Sequence, residues 1–291
     1  MTAVAGPRAR AVAACIAVAA VHSGAWAQAA DVRRGEYVAH AGGCAACHTD
    51  EGKNAVPYAG GRAIETPFGV FYGPNITPHP EHGIGRWSRR DFFRAMREGV
   101  RPDGEHYYPS FPYPYYTGAS DRDLGDLWAY LQSLPQNGRR NRAHELGVVL
   151  GQRFMIGAWK RLYFSAGRFV PDRKAAAPVN RGAYLVQSLG HCGACHTPRS
   201  ALGGPRADRP LAGVDAPDGK GAPNLTPTGL EKYSDQELTE LLATGVTPEG
   251  DVLAGEMDLV IRYSTGRLTP ADRAAIVAYL RSLPPLPSAE P

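Results

Sequence analysis

The sequence predicts a mainly α fold of two tandem copies of one small domain, each made of three or more short helices joined by long loops. Three observations carry that prediction. The first is an internal repeat: Arg34-Gly35-Glu36-Tyr37 returns as Arg181-Gly182-Ala183-Tyr184, and Pro74-Asn75-Ile76-Thr77-Pro78 returns as Pro223-Asn224-Leu225-Thr226-Pro227. The second is a set of amphipathic segments in matching places, Ser88 to Glu98 and Ser234 to Thr244, then Ser120 to Leu134 and Thr269 to Leu283. The first pair opens on Ser88 and Ser234, each suited to cap a helix. The third is a content of 25 Pro and 34 Gly in 291 residues, which separates short elements with many turns. At about 100 to 150 residues per domain, this length accommodates two domains.

Residues 1–27 hold Arg8 and Arg10, an apolar stretch from Ala11 to Val21, and Ala25-Trp26-Ala27. This basic, apolar, small-residue order is that of a secretory signal cleaved after Ala27, which places the mature chain in an oxidising compartment. Neither this apolar stretch nor any later one reaches the roughly 18 uncharged apolar residues that span a bilayer. Val12-Ala13-Ala14-Cys15 resembles a lipidation box only loosely.

The first domain is read over residues 28–137 and the second over 179–291. In each, the Arg-Gly-x-Tyr segment leads into a helix, and the two capped segments supply the second and third helices. The connector, residues 138–178, is first basic and then aromatic, with Phe154, Trp159, Tyr163 and Phe164 about Lys160 and Arg161. It either straps the domains together or offers a docking patch to a partner or a membrane surface. A formal net charge of +4 over the chain carries no footprint of a nucleic-acid binder.

Four of the five cysteines form two copies of one pattern, Cys44-Ala45-Ala46-Cys47-His48 and Cys192-Gly193-Ala194-Cys195-His196. Cys-x-x-Cys-His is the signature of covalent haem attachment. On one helical turn two thiols reach the two vinyl groups of a porphyrin while the adjacent imidazole turns under the iron, so His48 and His196 are the expected proximal ligands. Zinc would need the thiolates gathered together, whereas the two pairs lie far apart in sequence and each has its own histidine. Three short helices and long loops around such a haem describe a cytochrome c domain, and the chain is expected to carry two covalently bound haem c groups.

The sixth iron position is filled in many such domains by a methionine thioether from a loop. Met257, in Gly255-Glu256-Met257, is the expected ligand of the second haem. Aligning Gly99-Val100 with Gly245-Val246 without gaps carries Met257 onto Phe111, so the first haem lacks that ligand. An open position, His106 on the same loop, or another group such as His79 or His82 remain the alternatives there, and Met96 is read as core. Arg62 and Arg199 are read as partners of haem propionates or as surface charge. Asn75 and Asn224 are expected to bond a propionate or hold a turn.

Asn75-Ile76-Thr77-Pro78, Gly83-Ile84-Gly85-Arg86-Trp87-Ser88, Gly167-Arg168-Phe169-Val170-Pro171-Asp172, Asn180-Arg181-Gly182-Ala183-Tyr184-Leu185 and Gly190-His191-Cys192-Gly193-Ala194-Cys195-His196-Thr197-Pro198-Arg199 together resemble the dihaem and multihaem cytochrome c subunits of membrane-associated periplasmic dehydrogenases. Those subunits serve alcohol, gluconate and fructose dehydrogenases and molybdenum hydroxylases. The resemblance covers most of the chain, although several such subunits carry three haem motifs, and no amphipathic anchor is read after Pro284. It implies a periplasmic electron conduit, reduced by a flavin, quinoprotein or molybdenum dehydrogenase subunit and oxidised by a quinone or a downstream cytochrome or oxidase. Peripheral contact with the inner membrane is part of the same expectation. The competing reading is a dihaem oxidoreductase acting directly on a small inorganic substrate at the Met-less first haem, in the manner of thiosulfate dehydrogenases or dihaem peroxidases.

Overall fold

The computed structural model describes residues 31–147, 153–215 and 221–288. The signal-like segment 1–27, with Cys15, lies outside the described residues. The first repeat begins with helical residues 31–41 (α1), followed by α2 (Cys44–His48), strands β1 (Ala63–Thr66) and β2 (Gly69–Tyr72), and helices α3 (Arg89–Glu98), α4 (Tyr113–Tyr116) and α5 (Asp121–Ser133). The connector contributes β3 (Glu145–Leu146) and α6 (Phe154–Tyr163). The second repeat runs α7 (Ala177–Tyr184), a π turn (Leu185–Leu189), α8 (Gly193–His196), α9 (Pro227–Leu230), α10 (Asp235–Thr244), α11 (Glu256–Tyr263), a 3₁₀ turn (Thr265–Arg267) and α12 (Pro270–Ser282).

The caps are where the sequence puts them. Ser88 and Ser234 accept from the backbone of Asp91 and Glu237, whose carboxylates return a bond to the cap, so α3 and α10 both start in capping boxes. Ser120 and Thr269 cap α5 and α12. The first helix of each repeat crosses the third at backbone contact, because a β-carbon on Gly35 would collide with the Asp126 carbonyl and one on Gly182 with that of Ala275. These glycines are the reason both repeats carry Arg-Gly-x-Tyr.

A small antiparallel sheet was not expected from the sequence. Its order is β1-β2-β3, with Ala63 opposite Tyr72 and Gly69 opposite Leu146. It forms because the connector returns to the first repeat. Phe71, Tyr108 and Ile156 make a cluster that joins sheet, loop and α6. On its other side α6 reaches the second repeat, where Trp159 Nε1 donates to the Leu202 carbonyl at 3.2 Å and Tyr163 shares a hydrogen bond with Ser200. The connector is thus a strap between the repeats, and its outer face keeps Phe154 and Leu162 exposed at 77% and 68%.

One hydrophobic cluster runs through both repeats, taking in Val38, Leu124 and Leu127 from the first and Leu185, Val186, Leu189, Ile276 and Val277 from the second. Reciprocal polar contacts close its rim. Tyr37 donates to Asp272 at 2.6 Å and accepts from the backbone of the cap residue Thr269 at 3.1 Å. Tyr184 donates to Asp123 and accepts from the backbone of the cap residue Ser120 at 3.0 Å. Each repeat therefore plugs its first-helix tyrosine into the start of the other repeat's third helix.

These contacts predict two outcomes. Tyr37→Phe and Tyr184→Phe each destabilise the chain by about 1 to 2 kcal/mol, the size of a lost hydrogen bond to a carboxylate, measured as a shift in the denaturant midpoint. Burial alone would raise the Asp272 carboxyl, but bonds from Arg181 and Tyr37 outweigh it and hold that carboxyl below its ordinary value. A depressed carboxyl contributes stability above its unfolded value, near 3.9, and loses it as pH falls through the folded one. Stability measured below about pH 4 should accordingly fall less steeply in Asp272→Asn than in the native chain.

Candidate functional site

His48 ends α2 with Nδ1 at 2.7 Å from the Pro74 carbonyl, and His196 ends α8 with Nδ1 at 2.8 Å from the Pro223 carbonyl. A carbonyl only accepts, so Nδ1 carries the proton in both rings and Nε2 keeps its lone pair. Burial lowers the pKa of both imidazoles, opposed by the same carbonyls, and favours the neutral form that binds a metal.

The two carbonyls are held by matching devices. Asn75 Oδ1 accepts from Thr77 N at 2.9 Å and Thr77 Oγ1 at 2.7 Å, while its Nδ2 donates to the carbonyls of Asn137 and Arg139. Asn224 Oδ1 accepts from Thr226 N and Oγ1, and its Nδ2 donates to Leu286. The chain leaving each third helix thus folds back and locks the loop under the histidine. Of the two roles expected for these asparagines, the structure displays the turn-holding one.

Burial pushes the Cys44 thiol up to about 12, and Cys192 likewise to about 12. Cys47 is pushed up to about 11 by burial, with Arg62 opposing and Glu256 and Cys195 of the second repeat adding to the rise. Ser264 of the second repeat donates to the Ala41 carbonyl at 3.4 Å, three residues before Cys44, so the first attachment turn lies at the seam. Arg62, 5% exposed, ion-pairs there with Glu51 and, at 2.9 Å, with Glu256, the neighbour of Met257. Arg199 donates instead to the Gly203 and Ala194 carbonyls of its own loop.

Met257 lies in the first turn of α11, where a loop was expected. Glu256 and Asp258 complement the helix N-terminus, and Asp258 pairs with Arg262 one turn on. The register also changes. Leu253 and Tyr107 bond equivalently to Gly245 and Gly99, but Ile261 packs over Gly245 where Tyr113 packs over Gly99. The second repeat is two residues longer in this stretch, so Met257 falls against the segment from Pro109 to Phe111, not on Phe111 alone. That segment has no thioether. Phe111 instead joins an aromatic wall with Tyr107, Tyr113 and Tyr116, at 5.2, 6.3 and 5.8 Å.

His106 is turned to the connector. Its Nδ1 lies 3.2 Å from Lys160 Nζ, and a β-carbon on Gly157 of α6 would sit 3.4 Å from Nε2. Its bridge to Val100 matches that of Val252 to Val246, and Val252 is an exposed position. Both ring nitrogens thereby face α6, so in this structure His106 packs against the connector. His79 and His82 stack on each other at 5.2 Å within their own turn, and Met96 is buried core. The reciprocal tyrosines were not identified as seam residues from the sequence, although Asp123 and Asp272 at matching helix starts were a readable signal.

A covalently attached porphyrin fits these residues. Each motif offers paired thiols and an oriented imidazole lone pair. Among the described residues, the buried Tyr113 Oη in the first repeat and Thr265 Oγ1 and Arg273 Nε in the second have no hydrogen-bond partner, so both interiors have polar capacity for a further group.

Residues 32–135 and 179–284 match the cytochrome c family. A diheme cytochrome c-type protein of Cereibacter sphaeroides is 42% identical over 258 residues, which cover 87% of this chain and 86% of that protein. One of the subunits of nicotinate dehydrogenase from Pseudomonas putida is 42% identical over 91% of this chain but 22% of its own length. The cytochrome c subunit of a quinone-type alcohol dehydrogenase of Gluconobacter oxydans is 38% identical over 94% of this chain and 60% of its own length. The chain thus spans most of the first relative and a smaller part of the other two.

Asn75→Ala removes four hydrogen bonds from a buried turn and should destabilise the chain by about 2 to 3 kcal/mol. Denaturant titration reads this directly, and Asn224→Ala should cost a similar amount if the two loops are equivalent.

Proposed function

The chain belongs to the cytochrome c family and binds haem covalently, and from that premise we propose that it is a periplasmic dihaem electron carrier, reduced by a partner dehydrogenase and oxidised by a quinone or a downstream cytochrome. In this reading Cys44 and Cys47 would hold one haem, and His48 would bind its iron through Nε2. Cys192 and Cys195 would hold the other with His196, and Met257 would offer a thioether to its iron. Each bound haem supplies a reversible one-electron iron centre.

The chain's own residues orient the two imidazoles through Pro74 and Pro223 and bring both attachment turns to one seam. That seam is the observation that carries the reading. Arg62 and Glu256 pair between the repeats at 2.9 Å, and Ser264 donates to the Ala41 carbonyl three residues before Cys44. Two repeats joined on one seam favour passage of an electron from one centre to the other over two independent chemistries. The first repeat has an aromatic wall about Phe111 where the second has Met257, so the two haems would sit in different surroundings and have different potentials.

Export is supported by the basic, apolar, small-residue order of residues 1–27. Among the described residues no helix is long and apolar enough to cross a membrane. The names of the relatives, among them cytochrome subunits of alcohol, fructose and gluconate dehydrogenases, support a dehydrogenase catalytic subunit as electron donor.

The test is spectroscopic. Pyridine haemochrome assay should give two haems per chain, falling to one in Cys44→Ala/Cys47→Ala. The charge-transfer band of thioether-ligated ferric haem should disappear in Met257→Ala and persist in His106→Ala. A wild-type first haem that is high-spin and binds carbon monoxide would overturn the conduit reading in favour of direct chemistry on a small substrate.

A further inference from the structure

Each motif histidine is fixed from behind by a glycine. Gly60 N donates to the His48 carbonyl at 2.8 Å, and Gly213 N donates to that of His196 at 2.9 Å. A β-carbon on either, at φ 74 or 84, would collide with the Pro-Asn peptide that aims the ring. Two residues further on the repeats part, for the first has Arg62 and the second an exposed Asp215. A group that each haem required for itself would recur in both repeats, so Arg62 stands apart from the machinery the two halves share.

The backbone of Arg62 is pinned, because its carbonyl accepts from Gly73 N at 2.9 Å. Its side chain, 6% exposed, pairs with Glu51 and, through Nη2 at 2.9 Å, with Glu256, while those two carboxylate side chains are themselves 71% and 72% exposed. A buried guanidinium must be paired, whereas an exposed carboxylate need not be. The arginine therefore draws both acidic segments to itself. Glu51 follows His48 by three residues, and Glu256 immediately precedes Met257. The other end of the Met257 helix is held in the same repeat. Helix α11 packs against α2, and Ser264, its C-cap, donates to the Ala41 carbonyl at 3.4 Å. Both ends of the eight-residue helix that carries Met257 are thus anchored in the first repeat.

We propose that Arg62 is a positioning residue for the second haem: by clamping Glu256 it holds the Met257 turn from the opposite repeat, so that thioether ligation in one half depends on the other. This rests on the reading of Met257 given above. Its test uses the full haem-loaded chain and the charge-transfer band of thioether-ligated ferric haem. Added imidazole competes with the thioether for iron, and the concentration that halves the band reports how firmly Met257 is held. The variants are Arg62→Gln, Glu256→Gln, the two combined, Glu51→Gln and Tyr37→Phe, with both potentials followed by redox titration. Tyr37→Phe loosens the seam elsewhere and separates a positioning role from general stability.

The expected result is a halving concentration several-fold lower in Arg62→Gln and in Glu256→Gln, with a lowered potential of the second haem. The combined variant should be no worse than Arg62→Gln alone, since both remove one interaction, and Glu51→Gln and Tyr37→Phe should keep the native value. An unchanged band and unchanged potentials in Arg62→Gln and Glu256→Gln overturn the proposal and leave the dihaem reading intact. So does an effect of Arg62→Gln confined to the potential of the first haem, or an equal loss in Tyr37→Phe. A wild-type chain without the band overturns Met257 as a ligand and the proposal with it.

Discussion

Each half of this molecule depends on one hydrogen bond, from a motif imidazole to a proline carbonyl. It fixes the tautomer and aim of the ring, and it works only if the carbonyl cannot move. The Asn-x-Thr turn behind Pro74 and Pro223, and the chain that returns from the third helix to lock it, both serve that immobility. Long loops are expensive to order, and here they are ordered by a few buried side-chain amides.

The second constraint is the seam. Because the hydrophobic cluster is shared, the relative placement of the two motifs is a property of the core, not of a linker. Against that common frame the repeats diverge where chemistry is set. The second has a methionine on a helix, held at the seam by Glu256 and Arg62, and the first has an aromatic wall. A chain of equal halves would give two similar centres. Unequal surroundings on a shared frame would separate the potentials of two such centres.

Much of this was legible in the sequence, because local rules decide it. The Cys-x-x-Cys-His turns, the helix caps at Ser88 and Ser234, and the repeat itself follow from spacing and residue type. What was not legible depends on contacts distant in sequence. The β1-β2-β3 sheet exists because the connector returns to Phe71 and Tyr108. His106 is claimed by Lys160, more than fifty residues on. The register about Met257 shifts by two residues within a loop, where no periodicity reports it. Tyr37 and Tyr184 were visible as repeat markers, but their purpose lies in the opposite repeat.

The crossed tyrosines carry a consequence for ancestry. A contact in which the same residue of each half meets the same site on the other has the reciprocity of an isologous two-fold dimer. A single ancestral repeat bearing the tyrosine and the capped aspartate would present both sides of that contact, and two separate copies would satisfy one another without a connector. Fusion then frees the halves to differ. The arginine that stands where its sister repeat keeps an aspartate is a broken symmetry that a true homodimer could not hold.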